Sequence, residues 1–277
     1  MVGKKFSGKY RISSICKVLD VPRSTYYYHP VESTEDDEVI IAVKESFAES
    51  HGTYGTPRIR ADLKDLGHNV SRLRIGRIMA SNNLVSCYTK KKSPTLKRGV
   101  NNESLPNLVS RQFKDRKKHE VLVSDTTYID INKRWHYLCP VIDLSRRTIV
   151  GSAVSNKRDT SIAVNSLYSV DFDLRKTKIF HTDRGSEFNS KSIDKILVGF
   201  DIQRSLSAKG SPIDNAVVES FFKTVKIEFI NRNKFDCIES FRSGWERYVH
   251  WYNYKRRHSS LGYRPPIEPI EINTRDK

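Results

Sequence analysis

Three β-rich runs occupy the middle of the chain: Val121–Ile131, Tyr137–Leu144 and Thr148–Val154. The connections between them, one centred on Arg134-Trp135-His136, are too short for a crossover, so the runs predict an antiparallel meander. The first alternates and is rich in β-branched residues, with Asp125 in its middle. The second reads as a buried strand. Helix and strand then alternate. A helix is expected near Ser161–Val170, with Ile162, Val164, Leu167 and Tyr168 apolar, then a strand at Lys178–His181, a helix over Ser192–Val198 and a strand at Asp201–Leu206. The order predicts an α/β fold, a mixed five-stranded sheet with helices on both faces.

Two stretches on this frame carry acids in pointed positions. Phe180-His181-Thr182-Asp183-Arg184-Gly185-Ser186-Glu187-Phe188 puts Asp183 just past a strand end. Lys209-Gly210-Ser211-Pro212-Ile213-Asp214-Asn215-Ala216 leads into a long helix, capped by Asp214 and running to Phe229, with Glu219 one turn inside. Its apolar side is Val218, Phe221, Phe222, Val225 and Phe229. Strand ends and a helix packed at the sheet edge can converge acids from distant positions. Carboxylates clustered on a rigid sheet are the ligands magnesium prefers. Two such ions about 4 Å apart suit phosphodiester chemistry. Asp125, Asp183 and Glu219 are the candidate set. Asp130, Asp143, Asp194 and Asp214 read as turn or cap residues. His181 either orients Asp183, touches nucleic acid or simply packs.

The flanking regions are basic and mostly helical. Tyr10–Leu19 has helical spacing at Ile12, Ile15, Cys16 and Leu19, and Ser24 is placed to cap a short helix bearing Tyr26-Tyr27-Tyr28. The pair outlines either a helix-turn-helix or a plain hairpin. Thr34 caps a longer helix with Glu35 to Glu38 in its first turn and Val39, Ile40, Val43 and Phe47 inward. A second two-helix unit has Pro57 at its start, Ile59, Leu63 and Leu66 on one face, and Gly67 at the stop. Ser71 caps its partner, which buries Ile75, Ile78 and Met79 and leaves Arg72, Arg74 and Arg77 outside, as a major-groove recognition helix would. Residues 1–88 are thus expected to form a helix-turn-helix region, 89–116 a basic linker with Lys90, Lys91 and Lys92, 117–230 the core, and 231–277 a tail. The tail opens with a helix capped by Asp236 that buries Phe241, Trp245, Tyr248, Val249 and Tyr252, and it ends in an extended basic strap.

Forty-nine Lys and Arg against 32 Asp and Glu give a net charge of +17, which points to a polyanionic partner. The four cysteines are scattered, with no CxxC pair to hold zinc, and they suit a reducing compartment. No apolar run reaches membrane-spanning length. The chain reads as cytoplasmic.

The motifs resemble the DDE transposases of bacterial insertion sequences, the type translated from a second reading frame (OrfB), whose core is related to retroviral integrases and has a ribonuclease H-like fold. Thirty-five residues separate Asp183 from Glu219, which is that group's spacing. Val123-Ser124-Asp125-Thr126-Thr127-Tyr128-Ile129, His181-Thr182-Asp183-Arg184-Gly185-Ser186 and Lys209 to Ala216 leading to Glu219 resemble its three acid motifs. Tyr54-Gly55 and Arg58-Ile59 resemble its helix-turn-helix region, and Trp251-Tyr252-Asn253 through Tyr263 its C-terminal motif. The family often has Trp near Leu122 and Gln at Glu187; the extra carboxylate either points to solvent or crowds the metal site.

The resemblance implies that Asp125, Asp183 and Glu219 hold two magnesium ions, with manganese an alternative, for 3′-end nicking and strand transfer. It implies double-stranded DNA partners (element ends and target) and a homodimer or larger synaptic complex beside the nucleoid. It also implies an upstream-frame partner or fusion segment. Lys209, Lys223 and Lys226 are expected near phosphates, although Lys223 and Lys226, at +4 and +7 from Glu219, suit ion pairing with it as well. Arg256 and Arg257, set among Trp251, Tyr252 and Tyr254, either clamp phosphate and stack on bases or form a solvated strap. A nuclease that cuts without joining, or a DNA-binding regulator with an idle core, are the rival readings.

Overall fold

The computed structural model describes residues 11–27, 34–89, 116–207 and 216–268. The linker from Lys90, the segment Asn107–Phe113, Lys209 and the expected cap at Asp214 lie outside these residues. The N-terminal helices are α1 (Ile12–Val18), α2 (Arg23–Tyr27), α3 (Thr34–Glu49), α4 (Thr56–Asp65) and α5 (Arg72–Ser81). Strands β1 (Val121–Ser124), β2 (Thr127–Ile131), β3 (Arg134–Asp143) and β4 (Thr148–Ser155) follow. Then come α6 (Thr160–Tyr168), β5 (Ile179–Thr182), α7 (Lys191–Gly199), β6 (Gln203–Leu206), α8 (Ala216–Glu228) and α9 (Ile238–Tyr254).

The first predicted strand is two. β1 and β2 both run antiparallel to β3 in one uninterrupted register, from Leu122↔Asp143 to Ile131↔Arg134. Pairing lapses only at Asp125 and Thr126. The register places Asp125 opposite Pro140, which has no N–H to give either neighbouring strand. The lapse moves Asp125 from mid-strand to a strand end. β5 pairs parallel with β1, and β6 parallel with β5, while β4 lies antiparallel on β3 with a bulge at Val141/Ile142.

Both faces of the sheet are buried, and side-chain alternation sorts them. Val121, Val123, Leu138 and Ile142 face one cluster, and Leu122, Cys139 and Val141 the other. The second cluster is closed by α6 and α7 through Ile162, Leu167, Ile193 and Leu197. The first is continuous with α8, α9 and the N-terminal helices, taking in Val43, Ile59, Leu63, Ile75, Val225 and Phe241. In it Phe229 stacks on Tyr248 with ring centroids 5.1 Å apart.

Several local expectations need correction. α2 begins at Arg23, so Ser24 lies inside it rather than capping it. Leu66 follows the last turn of α4 and is 64% exposed, while Tyr168 at the end of α6 and Leu19 after α1 are exposed too. α9 is capped by Cys237, whose Sγ accepts from Ser240 N–H, rather than by Asp236. The tail is not extended: Ser259–Leu261 turns, and His258 bridges back to Arg264. Gly67 (φ +88°) and the Ser71 cap on Arg74 N–H stand as expected.

Candidate active site

The parallel register Ser124↔Thr182 makes Asp125 and Asp183 the next residues beyond two adjacent strand ends. Adjacent strands lie about 4.8 Å apart, so the two carboxylates are near enough for the charge of Asp183 to act on Asp125. Each is aimed by a local bond: Asp125 Oδ1 accepts from Thr126 N–H at 2.6 Å, and Asp183 Oδ1 from Gly185 N–H at 2.9 Å. Burial, and then the charge of Asp183, push the Asp125 carboxyl up to about 7. Asp183 is also raised, by burial and then by Glu187. Two half-buried carboxylates that resist ionising together form a site that favours added positive charge.

Glu219 sits in the first turn of α8 and is exposed. Among the described residues no three His, Cys, Asp or Glu side chains are grouped to hold a metal. The sheet therefore assembles a pair, and the third candidate is carried on a separate element, α8. The oxygen-only pair fits a hard divalent cation in kind, and its raised protonation fits one in charge.

Glu187 does not point to solvent. It is 1% exposed; its Oε1 accepts from Arg158 Nε at 2.9 Å, and its Oε2 is buried with no hydrogen-bond partner among the described residues. A Cβ on Gly185 would fall 2.7 Å from Glu187 Oε2 and 2.9 Å from Asp183 Oδ1. Glycine is needed there because two carboxylates close on its backbone. Arg158, missed in the sequence, lies on the β4–α6 connection and is held charged by Glu187, Asp183 and Asp125. The only signal for it was the basic pair Lys157-Arg158 before the Asp159 cap of α6.

His181 is buried and both ring nitrogens meet hydroxyls, Ser205 at 2.8 Å and Ser207 at 3.1 Å, so it packs β5 against β6. Lys226 turns to Tyr128, with Nζ 4.7 Å from the ring centroid, and Lys223 is exposed. Arg72, Arg74 and Arg77 are exposed on α5. Arg256 and Arg257 are neither solvated nor open. Arg256 is 3% exposed and forks onto Glu228 through Nε and Nη2, both at 2.7 Å. Glu228 also accepts from Tyr88 and Tyr248 hydroxyls. Arg257 binds Asp62 and Asp65 of α4, each at 2.6 Å. A phosphate clamp built from these two arginines would have to give up those pairs. Glu228 was legible only as an acid beside the apolar stripe of α8.

A mixed sheet with paired carboxylates at adjacent strand ends, and an acid-bearing helix following its last strand, is the ribonuclease H-like arrangement of an integrase core. Family profiles described as "Integrase core domain" match residues 115–212 and 200–266, and one described as "HTH-like domain" matches residues 34–92. The chain is 32% identical over 235 residues to the transposase for insertion sequence element IS904 of Lactococcus lactis, covering 84% of this chain and 93% of that one. It is 29% identical over 276 residues to transposase InsF for insertion sequence IS3A of Escherichia coli, covering 95% of each. Among solved structures, the HTLV-2 integrase catalytic core domain in complex with magnesium aligns with a TM-score of 0.42 at 16% identity, over 51% of this chain and 91% of that one. The chain belongs to the IS3-family insertion-sequence transposases, and it is a DDE-type polynucleotidyl transferase.

Proposed function

We propose that the protein nicks the 3′ ends of its insertion sequence and joins them to target DNA, with Asp125, Asp183 and Glu219 as the acid set. The observation that carries this reading is the pairing of Asp125 and Asp183 at the ends of β1 and β5. Water attacks the phosphorus at the element end, and the bond from that phosphorus to the element's 3′ oxygen breaks. The attacking water loses a proton and the departing oxygen gains one. The freed 3′-hydroxyl then attacks a target phosphodiester, whose own 3′ oxygen leaves. Asp125 and Asp183 would hold two magnesium ions, or manganese, with Glu219 completing the set. Bound there, such ions would supply positive charge opposite the attacking and leaving oxygens.

The exposed Arg72, Arg74 and Arg77 of α5 suit the reading of element ends, and Lys223 and Lys226 of α8 suit the phosphates flanking the cut. Joining two ends to one target calls for a homodimer or larger synaptic complex. An upstream-frame segment as partner or fusion fits the same reading, as does a place beside the bacterial nucleoid. Among the described residues no helix is long and apolar enough to cross a membrane.

The test is strand joining with a labelled duplex bearing the element's terminal repeat, located by footprinting. Joined product that disappears with Asp183→Ala is expected. Nicking without joining would support a plain nuclease instead, and undiminished joining by Asp183→Ala would sink the acid assignment.

A further inference from the structure

We infer that Arg158 contacts a phosphodiester of the DNA held at the acid pair, and that Glu187 is its positioning residue. The inference deepens the proposed function and rests on its placing DNA at Asp125 and Asp183.

Arg158 is a basic side chain set beside the acids of this corner: it bonds Glu187, and the charges of Asp183 and Asp125 reach its guanidinium. It is fixed at one point. Nε donates to Glu187 Oε1 at 2.9 Å, and that carboxylate is itself locked in the interior. The rest of the side chain is not enclosed, since Arg158 is 43% exposed there. Nη1 and Nη2 make no hydrogen bond among the described residues. A guanidinium pinned through Nε presents its Nη edge in a fixed plane, which is the geometry that receives two phosphate oxygens at once. Its ordering entropy is already met by the protein.

The position also answers an electrostatic need. Three carboxylates at one corner repel a phosphate, and Arg158 sets a cation among them. Glu187 fits the anchoring role better than a metal-ligand role, because the first of its oxygens is taken by Arg158. Its Oε2 and Asp183 Oδ1 both close on the place a Cβ of Gly185 would take, at 2.7 and 2.9 Å, so the turn holding Asp183 and the anchor of Arg158 share one wall. The Gln that the family often carries here would keep an oxygen able to accept from Nε.

The test measures binding rather than turnover. Element-end duplexes carrying a neutral methylphosphonate at each phosphate around the cut, one at a time, are bound in calcium to hold the DNA uncut. For the native chain, one neutralised phosphate is expected to weaken binding about tenfold or more, as loss of a charge-assisted bond does. Arg158→Ala should bind unmodified duplex more weakly by the same factor and be indifferent to that methylphosphonate. Arg158→Lys should recover part of the loss, because a point charge cannot form the fork. Glu187→Ala should follow Arg158→Ala, and Glu187→Gln should lose less. If every methylphosphonate costs Arg158→Ala as much as it costs the native chain, the inference is overturned. Nicking of unmodified duplex in magnesium is scored separately. A chain that binds but never nicks overturns the proposed reaction, while the methylphosphonate comparison still decides the role of Arg158.

Discussion

Arg256 and Glu228 face each other as a two-pronged pair in the protein interior, both bonds at 2.7 Å. The tail thereby meets the last turn of the acid-bearing helix. Tyr88 and Tyr248 saturate the same carboxylate, and Arg58 approaches it at 3.7 Å. Breaking such a buried pair strands a charge, which typically costs about 3–5 kcal/mol. Arg256→Ala is expected to lower unfolding free energy by about that amount in urea titrations, and Glu228→Gln by less.

The same carboxylate makes a pH prediction. Burial opposes its charge, but Arg256 and the surrounding donors leave Glu228 below the usual glutamate range. A depressed folded value gives stability that is present above the unfolded pKa and lost as pH falls through the folded one. Thermal melts below the ordinary glutamate range should therefore fall more steeply for the native chain than for Glu228→Gln. Parallel curves would remove this role.

The acid pair has the opposite sign. Asp125 titrates near 7 in the folded chain, far above its unfolded value. The proton is bound more tightly in the native state, so its stabilising contribution is full below the unfolded value and is lost as pH rises through 7. In EDTA the melting temperature should decline over that window, and Asp125→Asn should flatten the decline. Manganese should raise the melting temperature more at pH 8 than at pH 5, where it must displace a proton.

Lys226 over Tyr128 is a half-exposed cation–π contact, a kind worth about 0.5–1 kcal/mol. Lys226→Ala should shift the melting temperature little and lower strand transfer about tenfold, if its ammonium serves a phosphate in the complex. A large stability loss with normal transfer would make it a structural residue.

Arg72, Arg74 and Arg77 are exposed on α5. Alanine at a phosphate-contacting position should reduce the salt slope of end binding by about one, and alanine at a base-contacting position should relax sequence choice instead. Binding that ignores all three would remove α5 from the DNA interface.

Much of the architecture could be read from the chain because it rests on local pattern. Alternation in Val121–Ile131, the apolar spacing of α8 and α9, and the caps at Ser71 and Gly67 are each short-range signals. What escaped was set by partners far away in sequence. The break at Asp125 follows from Pro140 on the neighbouring strand. The burial of Glu187 follows from Arg158, and the capture of Arg256 and Arg257 from acids on α8 and α4. Leu66 and Tyr168 escaped for the converse reason: each continues an apolar stripe at a helix end where nothing packs over it.

Arg257 grips Asp62 and Asp65, and its backbone N–H meets the Tyr54 hydroxyl at 2.7 Å. The grip joins residues about two hundred positions apart. During synthesis, α4 leaves the ribosome long before the residue that fastens it. The early helices of a nascent chain therefore wait, unfastened, until almost all of the core behind them has been made.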